Sequence, residues 1–466
     1  MVFADLFFIY FFLPLCLIFY FTAKTLDRKN LVLIIFSLIF YAWGKPLYVL
    51  LLLFSAGFNW AVGLALEKYR GTPMSRIMLG LGIVVDVALL LVFKFSSGLF
   101  RTQAAAAQVA LPVGIGVFTL QAVSYLIDCF RETVTVQRSF KKFLLYLSLF
   151  PQLPAGPIVR YSAVEHAIDN RRITVSDACD GALRVIVGLA KKVIIANNLY
   201  AIVSAFFGTD LSGLSVLGTW YTAIIFTLYI YFELSGYADI AIGLARIFGF
   251  RFDENFNYPL AGRTVTDFCD RWYISLGAFF RDYVLCIPFL GKKYRYLGLL
   301  LVWLCTGIWF GAGWNFILWG LYLGFFLCFE QTFGKTLLEK WPVWVRHIYS
   351  KLVIILGFGI FYFRTSGQLA QFFGRIFCVS MLTSHAPFVD KLTWTSFVDN
   401  IFLIAAAVIC SLPLLPKVKT FFQENRNHTV YAIGRYGALA CCAVLLVILS
   451  ILLAGSAGSP LAYFRF

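Results

Sequence analysis

The chain has 466 residues, 61% hydrophobic and 13% charged, with a formal net charge of +16 and a mean hydropathy of +0.83. Soluble domains run near 45–50% apolar and about 25% charged. This composition therefore excludes a water-soluble enzyme, a disordered chain and a nucleic-acid-binding module, and describes a protein dissolved mostly in lipid.

Apolar runs able to span or dip into a bilayer lie near 6–23, 31–43, 46–66, 77–93, 110–129 and 143–158. Others follow near 183–207, 217–250, 296–310, 313–330, 351–365, 398–415 and 434–455. The first run carries no basic leader and no small-residue cleavage site, so it reads as a membrane segment rather than a signal peptide. The run 217–250 is long enough for more than one element. In 143–158 the string Pro151-Gln-Leu-Pro-Ala-Gly-Pro157 cannot continue a helix. Backbone freed at membrane depth must be buried in protein or line a wet cavity, so this run reads as re-entrant. The stretch from Arg251 to Lys293 mixes apolar and charged residues and reads as short helices at the cytoplasmic face or in a funnel. No repeat or linker divides the chain (Ala104–Ala107 is a small loop run), which gives one domain, 1–466.

Basic residues gather between the apolar runs: Lys24, Arg28 and Lys29; Lys68, Arg70 and Arg76; Arg131, Arg138, Lys141 and Lys142; Lys292, Lys293 and Arg295; and Lys335, Lys340, Arg346 and Lys351. Lys and Arg in short loops stay cytoplasmic, so the excess charge reads as topology before it reads as a polyanion site. The 11 Cys fall mostly inside apolar runs without a CxxC pattern, which suits small buried hydrophobes rather than disulfides or metal ligands. The fold class is an all-α polytopic membrane protein, a bundle of about 10–12 membrane segments with re-entrant and short cytoplasmic-side helices.

Several strings go beyond composition. They are Leu111-Pro-Val-Gly114, the proline-rich 151–157 string, Tyr231-Phe-Glu-Leu-Ser-Gly-Tyr-Ala-Asp239 and Asn255-Phe-Asn-Tyr-Pro259. After them come Arg271-Trp-Tyr-Ile-Ser-Leu276, Phe280-Arg-Asp-Tyr283, Thr306-Gly-Ile-Trp-Phe-Gly-Ala-Gly-Trp-Asn-Phe-Ile-Leu-Trp-Gly320 and the terminal Tyr463-Phe-Arg-Phe466. Together, in order and along the whole chain, they resemble the membrane-bound O-acyltransferase (MBOAT) family, in particular its bacterial branch of alginate O-acetyltransferase-like, polysaccharide-acetylating members. An unrelated transporter would not explain ordered matches of this kind.

The resemblance implies transfer of an acyl group from a cytoplasmic thioester to an acceptor hydroxyl on or beyond the other face. The donor would be acyl-CoA or an acyl carrier protein held near 251–295, with no bound cofactor and no metal. It also implies a bacterial cytoplasmic membrane, contact with lipid, an extracytoplasmic acetyltransferase-like partner and no nucleic acid. Histidine suits general-base work on a hydroxyl at neutral pH. In the bacterial branch histidines stand in Arg-Trp-His-Ile-Ser-Leu, in Gly-Leu-Trp-His-Gly and at the end of Trp-Gly-Leu-Tyr-His. Here those positions are Tyr273, Phe310 and Leu323, and the chain's four histidines, His166, His347, His385 and His428, lie in polar or loop-like stretches outside these motifs.

A phenyl ring moves no proton, and a phenol with a pKa near 10 is a poor base at neutral pH. The scaffold positions Arg271, Trp272, Ser275, Arg281, Asp282, Trp309, Trp314, Asn315 and Trp319 nevertheless keep the pattern and are the candidate donor-binding and pore-lining residues. Asn315 and Asp239 are further catalytic candidates. A thiol could rescue the chemistry by holding the acyl group as a thioester if something lowered its pKa: Cys269, four residues before Tyr273 and on the same face if that segment is helical, or Cys305, five before Phe310. The bland alternative is packing. Glu233 and Asp239 are acids at membrane depth, either functional or paired with Arg246 or Arg263 as structural glue, and Asp86 in the run 77–93 is open in the same way. Two readings follow: an O-acyltransferase with altered acid–base residues, or a transfer-incompetent homologue serving as scaffold, conduit or regulatory partner.

Overall fold

The computed structural model describes residues 1–95, 112, 114–154, 156–208, 211–285, 294–334, 338–379, 387–424 and 428–455. All regular structure in these residues is helical, with no strand among them. Leu111, Val113, Ala155, the Ala104–Ala107 run, Lys292, Lys293, Lys335, His385 and the 463–466 string lie outside the described residues.

In chain order, α1 (Leu13–Thr22) follows a π turn at Phe8–Phe12, and α2 (Leu26–Ala42), α3 (Tyr48–Lys68), α4 (Pro73–Lys94) and α5 (Ile115–Phe130) come next. Then come α6 (Phe140–Ser148), α7 (Tyr161–Asn170) and α8 (Val175–Ala190), which runs through a π turn at Lys191–Ala196 into α9 (Asn197–Phe207). The long α10 (Val216–Ile247) precedes two short helices, α11 (Val265–Arg271) and α12 (Ile274–Tyr283). The chain continues with α13 (Arg295–Phe310), α14 (Trp314–Phe333), α15 (Val343–Tyr362), α16 (Ser366–Ile376), α17 (Lys391–Asp399), α18 (Ile401–Cys410), α19 (Leu414–Glu424) and α20 (His428–Gly455). Helix starts follow ordinary capping chemistry. Thr264 Oγ1 accepts from the Asp267 amide at 3.0 Å, and Asp390 Oδ1 accepts from the Thr393 amide at 2.6 Å.

Among the described residues seven helices are long and apolar enough to cross a membrane, and the pair α17–α18, bent by 63°, makes an eighth if it is one broken span. Three shorter apolar helices, Phe8–Thr22, α5 and α13, add to these. The chain is a multi-pass membrane protein of the all-α class. The run 217–250 differs from expectation: it forms one helix, α10, of 32 residues, about 48 Å long at 1.5 Å per residue. No proline interrupts it, and its spanning stretch is 89% buried, against 11% for α4. A helix enclosed by protein is free of the length limit that lipid sets. The helix of the 143–158 run stops at Ser148, before Pro151, and hydrogen-bonded turns follow, with Phe150 and Gln152 buried.

The chain divides into two compact units whose boundaries fall inside continuous helices, after Gly188 and after Gly236. The first unit is chiefly Met1–Gly188 with Tyr237–Glu254. Its core includes the mutually packed rings of Phe3, Phe8, Phe12, Phe40 and Phe150. The second is chiefly Leu189–Gly236 with Asn255–Leu452. Its tightest crossing is α13 on α14, where a Cβ on Gly307 would lie 2.2 Å from the Phe316 carbonyl oxygen and one on Gly320 2.2 Å from that of Trp303. Only glycine lets the two backbones approach so closely.

Candidate functional site

The second unit brings together Tyr273 and Phe310, two of the three positions at which the family resemblance leads one to expect histidine. Tyr273 lies between α11 and α12, and Phe310 is the last residue of α13. Their ring centroids are 6.0 Å apart, edge to face. Both are buried, at 2% and 6% exposure. Phe256 and Trp309 close on Tyr273 at 5.6 and 5.2 Å. Trp319 and Phe361 close on Phe310 at 5.3 and 5.7 Å. Offset and edge-on ring pairs of this kind each add about 0.5–1.5 kcal/mol beyond the area they bury. Leu323, one turn beyond Trp319 on α14, is also buried.

Tyr273 is the one ionisable residue among these rings. Its hydroxyl is buried and has no hydrogen-bond partner among the described residues, and burial pushes the phenol above its usual range. It stays protonated at neutral pH, a hydrogen-bond donor rather than a base. Its backbone has φ 47° and ψ 56°, the left-handed region. A bulky aromatic is an outlier there, whereas histidine is several-fold enriched among non-glycine residues in that region. The backbone at Tyr273 therefore has a shape that suits histidine better than a bulky aromatic.

Around this centre the scaffold residues are held by specific bonds. Asn255 Oδ1 accepts from the Ser275 amide at 3.1 Å and its hydroxyl at 2.8 Å, and the Asn255 carbonyl accepts from the Ile274 amide at 2.9 Å. Asn255 therefore pins the start of α12. Asn315 Nδ2 donates to the Phe361 carbonyl at 2.6 Å, tying α14 to α15. Trp272 stacks on Phe268 at 5.3 Å. Trp314 is exposed, and its indole N–H donates to the Arg364 carbonyl. Arg271 pairs with Asp267 one turn earlier. Burial alone would raise the Asp267 carboxyl, but Arg271 and the Arg263 amide hold it below its usual range. Arg281 pairs with Asp270 at 3.4 Å on the surface, and Asp282 is half-buried beside it.

Several expectations change. Cys269 and Tyr273 do not share a helical face, because α11 ends at Arg271 and the chain turns before α12. Burial, with Glu330 and Asp270 acting in the same direction, pushes the Cys269 thiol well up, which leaves it protonated. Cys305 is half-buried on α13. Glu233 and Asp239 do not pair with Arg246 or Arg263. Glu233 takes Lys192, whose Nζ lies 2.8 and 2.7 Å from the two carboxylate oxygens. In the first unit Asp239 takes Arg184 at 2.8 Å, and Arg246 takes Asp177 and Asp180. Arg246 stands seven residues beyond Asp239 and thirteen beyond Glu233 on the same helix, and each of these charges faces another neighbour. His166 lies on the polar helix α7, and His347 lies beside Arg346 in the second turn of α15.

Three contributors escaped sequence reasoning. Lys192 stood in plain view as a lysine inside an apolar run, a pattern that calls for a buried partner. Glu330 accepts from the Val265 and Thr266 amides at 2.8 Å each and from the Thr266 hydroxyl at 2.6 Å, capping α11. Phe361 gave no signal, since its contacts arise only from the packing of α15.

The membrane-bound O-acyltransferase family model matches residues 83–363. A probable alginate O-acetylase of Azotobacter vinelandii is 33% identical, over 78% of this chain and 75% of that protein. One from Pseudomonas aeruginosa is 33% identical, over 78% and 72%. The peptidoglycan O-acetyltransferase of Helicobacter pylori is 31% identical, over 70% of each. The matched region holds Tyr273, Phe310, Leu323 and the helices that carry them, and the chain belongs to the membrane-bound O-acyltransferase family.

Proposed function

We propose that this protein is an envelope-modifying O-acyltransferase of a bacterial cytoplasmic membrane, with its transfer centre at Tyr273 and Phe310. It passes an acetyl or similar acyl group from acyl-CoA or an acyl carrier protein to a hydroxyl of an extracytoplasmic polysaccharide, beside an extracytoplasmic acetyltransferase-like partner. All 466 residues serve as one functional domain. The observation that carries the reading is the juxtaposition of Tyr273 and Phe310, at 6.0 Å, within a scaffold that keeps the family's pattern.

In this centre the acceptor oxygen adds to the thioester carbonyl, the C–S bond breaks, and the departing thiolate takes the proton that the acceptor hydroxyl gives up. The Tyr273 hydroxyl donates a hydrogen bond to the oxyanion formed on the carbonyl, the kind of stabilisation that a fixed donor supplies in a dry site. With no histidine as base, the rate is lower by about 10² to 10⁴ than with one. Arg271, Trp272, Ser275, Arg281, Asp282, Trp309, Trp314, Asn315 and Trp319 line the donor side in this reading. The raised Cys269 thiol argues against an acyl-cysteine at that residue.

A second reading is favoured by Phe310 and Leu323, two buried apolar side chains at positions where the resemblance leads one to expect histidine: a transfer-incompetent homologue acting as scaffold or partner. Purified protein with labelled acetyl-CoA and an oligosaccharide acceptor separates the two. Slow transfer above background, reduced about tenfold or more in Tyr273→Phe by loss of the oxyanion donor, supports the enzyme. Transfer unchanged in Tyr273→Phe but lost in Cys305→Ser would move the chemistry to the thiol. No transfer under any condition favours the scaffold.

A further inference from the structure

Asp86 is the only acid in α4. It lies in the first unit, 1% exposed, within a spanning helix. Asn59 of α3 donates its Nδ2 to Asp86 Oδ1 at 2.9 Å. The amide's other hydrogen goes to the Ser55 carbonyl, at 3.0 Å. Two buried acceptors remain without a donor among the described residues: Asp86 Oδ2 and Asn59 Oδ1. Asp86 has no cationic partner among those residues either.

An isolated carboxylate in such a place is strongly disfavoured. Burial of an ionised carboxyl with one hydrogen bond leaves most of its lost hydration unreplaced. A carboxylic acid and a primary amide are complementary, however, with one N–H···O and one O–H···O bond between them. A single proton on Asp86 Oδ2 turns an orphan acceptor into a donor and can satisfy the orphan Asn59 Oδ1 as well. The surroundings admit little else. One turn earlier, a Cβ on Gly82 would lie 2.4 Å from Leu126 Cδ1 of α5 and 3.3 Å from Val62 Cγ1 of α3, so α4 is pressed against both helices there.

We infer that Asp86 and Asn59 form a proton-binding site inside the membrane, and that the bound proton fastens α4 to α3. The charged residues on the helices packed against this point are Glu67 and Lys68 of α3 and Asp128 of α5, with Arg76 and Lys94 on α4 itself. Glu67 is eight residues from Asn59, and Lys94 eight from Asp86, about 12 Å along each axis. No neighbouring charge is therefore placed to hold the ionised form. Because only 11% of the spanning stretch of α4 is buried, the few inward contacts, this pair among them, decide how firmly the helix is seated.

The site also predicts a modification. A protonated carboxyl in an apolar setting adds across the C=N bond of a lipid-soluble carbodiimide. The acid proton goes to nitrogen and the carboxyl oxygen to carbon, giving an O-acylisourea that rearranges to an N-acylurea with nothing expelled.

The test uses the full-length protein in detergent or lipid discs at neutral pH. Infrared spectra of the wild type should contain the carbonyl absorption of a protonated carboxyl, and Asp86→Asn should lose it. That variant should keep the wild-type melting temperature, since an amide at this position can make both bonds to Asn59. The same protonated-carboxyl absorption in both proteins, or none in the wild type, would overturn the inference. Should Asp86→Asn fail to fold, the wild type treated with dicyclohexylcarbodiimide and mapped by peptide mass spectrometry decides the matter. An adduct on Asp86 at least tenfold above that on Glu67 or Glu132, declining as pH rises, supports the site. Labelling of Asp86 no greater than at those residues refutes it.

Discussion

Two regions of the second unit are equally buried and chemically opposite. At Tyr273 and Phe310, rings meet rings, and the one ionisable group among them is a protonated phenol. At Lys192 and Glu233 a complete ion pair is enclosed, with side chains 2% and 1% exposed. Burial by itself therefore does not exclude ionisable groups, because the same unit keeps buried charges where each has a partner. A lone base at Phe310 would need a hydrogen-bonding environment, which Trp309, Trp319 and Phe361 do not supply beyond one indole N–H each from the tryptophans. The aromatic centre is built of ring packing, with Tyr273 as its ionisable residue. The ion pair retains charge at the expense of tolerance to change.

This contrast can be broken experimentally, beginning with the largest effect. Removing one partner of the pair, as in Lys192→Met or Glu233→Gln, strands or unbalances a buried group and should destabilise the protein by about 3–5 kcal/mol. The double change Lys192→Met with Glu233→Leu should recover most of that loss, because well-packed apolar residues can replace a buried pair. Thermal unfolding in detergent measures all three. Equal stability of the single variants and the wild type would mean that the pair is solvated.

Glu330 is a third kind of buried acid, held by two backbone amides and a hydroxyl rather than by a cation. Glu330→Gln sets an NH₂ group against an amide donor and should cost about 1.5–3 kcal/mol, seen as a lower unfolding midpoint. At the surface, Arg281 and Asp270 are each 62% exposed. Arg281→Ala should change stability by less than about 1 kcal/mol. A larger loss of acyl transfer than of stability in that variant would place Arg281 against the donor.

The sequence carried the fold well where periodicity and breakers act locally. Pro151 and its neighbours ended α6, and the polar stretch after Arg251 became the short helices α11 and α12. It misjudged α10, because hydropathy cannot tell a long helix enclosed by protein from two shorter elements facing lipid. Tyr273 and Phe310 stood out in the sequence through the motifs around them, but their meeting did not, since they lie 37 positions apart. Ion-pair partners were the least legible. Asp239 and Arg184 lie 55 positions apart, Glu233 and Lys192 41, and only helix packing selects them over the arginines nearer in sequence.

The most direct test restores the missing chemistry. Histidine is compatible with the left-handed backbone at Tyr273 and is smaller than the ring it replaces at Phe310. Acyl transfer from labelled acetyl-CoA by the Tyr273→His/Phe310→His double variant, compared with the wild type at equal folded fraction, should rise by about 10² to 10⁴. A folded double variant that transfers no faster than the wild type would contradict a transfer centre at these two residues.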